Sequence, residues 1–390
     1  DLGGHGAGAL RARATPRGLI PGSTPRAPVP GSDSRADGPV GLYCARCRAR
    51  GAFAPILDPL EPCAPPVPTV SPQPATSSAR ASVAVELCAV IVAAAPADAR
   101  VLTVTAGGKP ATLPSGPLIR GHRTLELGLR AWVREQAKLD LGYVEQLYTF
   151  GDEGRALGGD TAARVLSLGY LALVREARSA PSLKAQWRGW YEFFPWEDWR
   201  DGPPNLVAEI AAAVRAWIDA GRNPEERRQR RLRAAAAFGA EGETWNEERV
   251  LERYELLYEI GFVAEAGRDS ASGSEDRGAA DRDSGLAMYG DHRRILATGI
   301  ARLRGKIKYR PLVFELMPPS FTFLQLQQTV EALAGRRLHK PNFRRLVEQQ
   351  GLVEPTGEMS AETGGRPAQL WRFRAGVLDG RAAPGVRPSR

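Results

Sequence analysis

Between Thr322 and Phe373 the apolar period changes twice in quick succession, and that order restricts the fold more than any other feature of the chain. Helical spacing runs through Thr322–Leu333, stops at Gly335 and resumes from about Pro341 to Gln350. Strand-like alternation follows at Leu352–Pro355 and Gln369–Phe373, on either side of Thr363-Gly364-Gly365-Arg366-Pro367. The order helix, turn, helix, strand, wing, strand predicts a winged helix-turn-helix. Pro341 suits the first turn of the second helix, where its missing N–H leaves no bond unmade. In that helix Phe343, Leu346 and Val347 share one face, and Asn342, Arg345 and Gln349 fall on the other, flanked by Lys340 and Arg344.

The chemistry of the second face suggests its use. Arginine can pair bidentately with guanine, and asparagine or glutamine with adenine, in a major groove. Arg336, Arg337 and His339 cluster in the turn, where contacts to phosphates would set the docking register. Arg366, at the tip of the wing, is placed for a minor groove or a phosphate. Charge agrees: residues 286–375 hold 15 Lys/Arg against 7 Asp/Glu, nearly the whole of the chain's +9 excess. The competing reading is a solvated basic helix in a winged helix that binds protein partners or RNA.

Upstream, residues 1–79 contain 14 of the 31 prolines and no sustained apolar periodicity, and are expected to be disordered. From residue 80 the texture becomes that of a folded domain. Strands are predicted at Val83–Ala94, Val101–Thr105, Tyr143–Phe150 and Val165–Val174, with an amphipathic helix at Thr124–Leu139. Strands around a central helix indicate an α/β sandwich over 80–200. Its end is an aromatic block, Trp187–Trp199, read as a core or interface wedge or as a pocket wall. Residues 201–266 form a helical connector, with Asn205 expected to cap its first helix. Residues 267–285, rich in Gly, Ser and Asp, read as a flexible linker. The winged-helix domain is expected over 286–375, opened by a helix at Asp291–Lys306, with a disordered tail at 376–390.

Other classes are disfavoured. The best apolar run, Val83–Ala95, is too short for a membrane span and carries Glu86. Cys44 and Cys47 form a CxxC, but with only Cys63 and His5 in the same tract a closed zinc site is not expected, and no metal or cofactor is assigned. No Ser-His-Asp or Cys-His array shows a suggestive spacing.

The segment GRRLHKPNFRRLVEQQGLVE, followed by TGGRPAQLWRF, resembles the winged helix of Nudix-related transcriptional regulators of NAD metabolism. YVEQLYTFGDEGR…RVLSLGYLALV and FFPWEDWRDGPP are similar to the upstream Nudix-like module of that family and to the segment after it. The resemblance spans roughly residues 80–375. It implies an α+β chain, a Nudix-like α/β/α sandwich followed by a winged helix-turn-helix, in a bacterial, cytoplasmic homodimer that binds a double-stranded DNA operator. It also implies a nucleotide effector such as ADP-ribose or NAD.

A catalytic Nudix box, Gly-x5-Glu-x7-Arg-Glu-x2-Glu-Glu-x-Gly, sets carboxylates on one helix face to hold Mg²⁺. Begun at Gly116, it keeps Arg130 and Glu135 but meets His122, Ala131, Arg134 and Ala137 elsewhere. Begun one residue later, it meets Pro117, Arg123, Ala131, Trp132, Glu135, Gln136 and Lys138. Either register leaves at most one metal-binding carboxylate, so a sensor rather than an enzyme is expected, with a divergent Nudix hydrolase as the alternative. The candidate ligand residues are Arg155 and Arg164 for phosphates, Tyr148 for stacking or packing, Asp152 at the strand end, and His122 and Arg123 for an anion or as helix-start decoration.

Overall fold

The computed structural model describes residues 83–95, 97–105, 110–152, 164–175, 184–239, 244–269, 284–309, 312–360 and 367–374. The leader, the CxxC, most of the expected linker and the tail lie outside the described residues.

A mixed sheet organises the first part of the fold. Its strands are β1 (Val83–Ala95), β2 (Asp98–Val104), β3 (Ser115–Pro117), β4 (Tyr143–Phe150), β5 (Arg164–Val174) and β6 (Ala185–Gly189). Their order is β4-β5-β1-β2-β6, with β3 also on β1, and β1 and β5 are parallel. A parallel pair needs a crossover, here supplied by α1 (Leu125–Ala137). Thr124 caps α1, its Oγ1 accepting from Leu127 N at 3.1 Å.

The unbroken apolar run of β1 is explained by its central position, because both of its faces are covered. Leu87, Ala89, Ile91 and Ala93 pack with Leu129, Val133 and Ala137 of α1. Cys88, Val90, Val92 and Ala94 belong to a second, larger core on the opposite face. That face is covered by α6 (His292–Tyr309), whose Gly299 lies directly over Val90. The helix expected to open the C-terminal domain is therefore packed as the second helical layer of the sandwich.

Between β6 and α6 come α2 (Val207–Asp219), α3 (Pro224–Phe238), α4 (Val250–Glu259) and the single turn α5 (Ala266–Asp269). Asn205 does not cap α2; Leu206 holds the cap position and makes no side-chain cap bond. The asparagine that does cap is Asn223, which accepts from Glu226 N at 2.8 Å ahead of Pro224. The mixed-charge run of α3 is spent on exposed and half-buried pairs such as Arg230–Glu226.

The aromatic block is a wedge. Trp190, Phe193, Phe194 and Trp196 are fully buried in the larger core. Beside them the Glu197 carboxylate accepts from Arg253 of α4 at 2.5 and 2.8 Å and from Arg304 of α6 at 2.7 Å. Burial by itself would raise the Glu197 pKa; the two guanidinium groups outweigh it and hold the carboxyl below its usual value.

Candidate nucleic-acid interface and ligand module

The C-terminal domain consists of α7 (Phe323–Ala334), α8 (Lys340–Gln349) and the hairpin β7 (Val353–Ser360) and β8 (Ala368–Phe373). Thr322 and Gln325 close a capping box at the start of α7. At its end Gly335 takes the left-handed conformation, φ +75°. The chain from Phe321 bonds to the hairpin through reciprocal Phe321–Trp371 backbone bonds of 2.9 and 2.8 Å.

The turn between the helices is stitched from beneath. The buried Glu331 carboxylate accepts from Leu338 N at 2.9 Å and from Gln327 Nε2 at 2.8 Å, and pairs with Arg337 at 3.2 Å. Gln327 also donates to Leu338 O at 3.1 Å. These bonds set the angle at which α8 leaves α7.

In α8, Phe343 and Val347 are buried and Leu346 is half-buried, whereas His339, Lys340, Asn342, Arg344, Arg345 and Gln349 are exposed. The side chains of Asn342, Arg345 and Gln349 make no hydrogen bond or ion pair within the described residues, so their donors and acceptors face solvent unspent. Arg344 pairs with Glu348 at 2.9 Å and lies over the Phe323 ring. Arg337 remains half-exposed while pairing with Asp201 and Glu331. Arg336 is turned inward, 3.5 Å from the nearly buried Glu247. Arg366 lies outside the described residues. Two exposed arginines not singled out from the sequence, Arg372 and Arg374, extend the basic surface from β8 and pair with Glu354 at 2.9 and 3.8 Å. Their alternation with Trp371 and Phe373 is the signal that could have revealed them.

The residues named for ligand binding do not gather on one face. The half-buried His122 and the exposed Arg123 stand at the entry to α1, with Arg120 exposed beside them. His122 packs edge-on to Trp132 and accepts weakly from Ile119 N at 3.4 Å. Tyr148 and Asp152 belong to the other side of the sheet. Tyr148 is 62% exposed and leans edge-on against Phe150, and Asp152 pairs with Arg294 of α6. Arg164 caps the end of its own strand pair, donating twice to Gly151 O at 3.0 and 2.7 Å. Arg155 lies outside the described residues.

A cavity of about 190 Å³ beside Asp152 is also lined by Glu86, Ser167, Asp291 and His292. Carboxylates make this wall a poor match for a diphosphate. His292 Nδ1 accepts from Leu113 N at 2.8 Å, which places any ring proton on Nε2. Burial holds its pKa below the ordinary histidine value, against an opposing pull from Glu86.

Of the two box registers, the geometry favours the later. Lys138, at the position of the final glycine, ends α1 with a left-handed φ of +51°. Trp132 and Gln136 then stand at positions where the box has glutamates. Trp132 donates to Pro117 O at 2.9 Å, and Gln136 bonds Ser115 through both ends of its amide at 3.2 and 2.6 Å. Both side chains are thus committed to holding β3 on α1. Among the described residues no group of three His, Cys, Asp or Glu is arranged to hold a metal ion, and no helix is long and apolar enough to cross a membrane.

The fold is α+β, an α/β/α sandwich followed by a winged helix-turn-helix with a basic, amide-bearing exposed helix. Residues 313–373 match the family model of the NrtR DNA-binding winged helix domain. The ADPR responsive transcriptional repressor NtrR of Acinetobacter baylyi is 45% identical over 88 residues, which cover 23% of this chain and 35% of that protein. The match thus spans about a third of the length of this curated relative. Among solved structures, Shewanella oneidensis NrtR complexed with a 27mer DNA aligns over 78% of this chain and 99% of its own, at 17% identity and a TM-score of 0.46. A MutT/nudix family protein from Enterococcus faecalis aligns over 75% of this chain and 88% of its own, at 14% identity and a TM-score of 0.43. The resemblance read from the winged-helix residues is met by the family model and by the curated relative.

Proposed function

We propose that this chain is a ligand-responsive, DNA-binding transcriptional regulator. The observation that carries the reading is the unspent row Asn342, Arg345 and Gln349 on the exposed face of α8. Donors and acceptors so displayed are matched by base edges in a major groove, with Lys340, Arg344, His339 and Arg337 beside them for phosphates. A homodimer would present two such helices to a two-fold operator, in a bacterial cytoplasm.

The effector we propose is ADP-ribose or a related nucleotide, since the A. baylyi relative is described as ADPR responsive. Exposed Arg120 and Arg123, with the half-buried His122 between them at the positive end of α1, suit its phosphates better than the acid-lined cavity on the other side of the sheet. We further propose that the module senses without hydrolysing. Trp132 and Gln136 replace carboxylates, and one remaining glutamate cannot assemble the magnesium cluster.

The test is a gel shift of the full chain on duplex DNA from upstream of its own coding region, with and without ADP-ribose. Arg345→Ala should weaken specific binding by roughly 1–3 kcal/mol and leave non-specific binding nearly unchanged. Equal affinity for every duplex and for heparin would remove the DNA-binding reading. Rapid AMP release from ADP-ribose with Mg²⁺ would remove the sensor reading.

A further inference from the structure

The acid-lined cavity of about 190 Å³ has on its wall a donor that no group of the protein uses. His292, the first residue of α6, is 4% exposed. Its Nδ1 is taken by the Leu113 N–H, so the ring proton sits on Nε2. Among the described residues Nε2 meets no acceptor, yet it is not sealed in protein: the ring lines the cavity and keeps this edge open to it. A buried donor held toward a void calls for an acceptor from outside the chain.

The other polar groups of the wall call for the opposite. Glu86 accepts from Ser115 Oγ at 2.9 Å on one oxygen and from Ser167 Oγ at 3.1 Å on the other, and each oxygen keeps a second lone pair. Asp152 and Asp291 both pair with Arg294, so three carboxylates stand against one guanidinium. Phe150 and Val165 give the cavity an apolar side. One acceptor beside N–H donors on a flat apolar body is the complement of this wall, and that is the edge of an amide. A carboxylate would face the acids, and an ammonium group would set donor against donor at Nε2. The volume falls below the roughly 300–1,000 Å³ of drug-sized sites, and suits one ring rather than a whole nucleotide.

We propose that this cavity is a second ligand site, for a free, uncharged ring amide. The carbonyl oxygen of the amide accepts from His292 Nε2–H, its N–H groups donate to the carboxylates, and its ring lies along the Phe150 and Val165 side. The site is on the opposite face of the sheet from Arg120 and Arg123, and so is separate from the phosphate-binding end proposed for the effector. The helix that supplies the donor also carries Arg304, which donates to Leu333 O at 2.9 Å near the end of α7. Occupancy therefore bears on the helix-turn-helix. That consequence rests on the DNA-binding reading; the binding itself does not.

Binding is read by ligand-observed NMR titration of the full chain with three probes of one shape and different charge: benzamide, benzamidine and benzoate. Saturable binding of benzamide is expected, about threefold tighter than benzamidine and about tenfold tighter than benzoate. His292→Asn keeps an acceptor for Leu113 N but is too short to replace Nε2–H, and should weaken benzamide about tenfold. Val165→Trp should fill the cavity and abolish binding of all three. Circular dichroism checks that both variants fold; should either not, Asp152→Asn, on the surface, carries the test. It should strengthen benzoate and weaken benzamidine, each about threefold, and leave benzamide within about twofold. No saturable binding of benzamide would overturn the assignment and leave the cavity to solvent. Benzamidine as the tightest probe would make it a cation site, and undiminished binding to folded Val165→Trp would place the probes elsewhere; either overturns it. ADP-ribose should leave bound benzamide in place. Displacement would merge the cavity with the effector site and overturn the proposal of a separate one, whereas failure of ADP-ribose to bind at all would count against the effector reading alone.

Discussion

Glu197 holds two of the three buried arginines among the described residues. It is 2% exposed, and its two oxygens satisfy guanidinium groups from two different helices. Replacing it with glutamine would leave two buried cations against a neutral amide. We expect Glu197→Gln to cost about 3–5 kcal/mol in urea denaturation, the range for breaking a buried pair from one side. His292 makes a prediction of a different kind. Its folded pKa lies below the unfolded value, so the unfolded chain binds the extra proton and stability falls as pH drops below about 6.5. The lowered Glu197 carboxyl adds a loss of the same sign at lower pH, below the usual carboxylate value of about 4.5. His292→Asn keeps an acceptor for Leu113 N and removes the titration. It should flatten the fall of the unfolding midpoint below pH 6.5; an unchanged slope would assign the loss to other groups.

Among the elements, the turn between α7 and α8 is the most constrained. Gly335 and Gly351 both end helices in the left-handed region, at φ +75° and +60°. They differ in what surrounds them. A Cβ on Gly335 would stand 2.3 Å from Glu197 O, whereas one on Gly351 would meet nothing nearer than Arg374 at 3.7 Å. Gly351→Ala should therefore cost only the backbone term, about 1–2 kcal/mol. Gly335→Ala should cost clearly more and also weaken DNA binding, because backbone must move to admit it. Thermal melts of the two variants compare them directly, and equal losses would show that the contact between the wedge and α7 is slack.

At the scale of the whole molecule the decisive feature among the described residues is that the larger of the two cores is shared between the modules. The larger cluster runs without a break from Val90 and Leu171 of the sheet, through Trp190 and Phe194 of the wedge and Tyr254 of α4, to Leu326, Phe343 and Val353 of the winged helix. A shared core makes the two modules unfold together. Urea denaturation followed by near-ultraviolet circular dichroism and by loss of DNA binding should give one coincident transition. Two separated midpoints would show that the modules are energetically independent. The same continuity offers a route for an effector, since an element packed in one core can have two arrangements that both sites bias.

Periodicity alone was enough to locate β1, β2, β4, β5, the C-terminal hairpin, α1 and the two C-terminal helices, because an amphipathic face must repeat at the pitch of its element; β3 and β6 are too short to show a period. It also placed Asn342, Arg345 and Gln349 opposite Phe343 and Val347, a relation internal to one helix. What depends on distant partners could not be read. Asn205 does not cap α2, and Arg336 turned from the surface toward Glu247. The candidate ligand residues were divided between two sides of the sheet. The α6 segment shows an apolar stripe in either reading; only the apolar face of β1 against which it packs decided that it would close the sandwich. Local spacing determines which side of an element is apolar, whereas the surface that covers it is chosen by the fold as a whole.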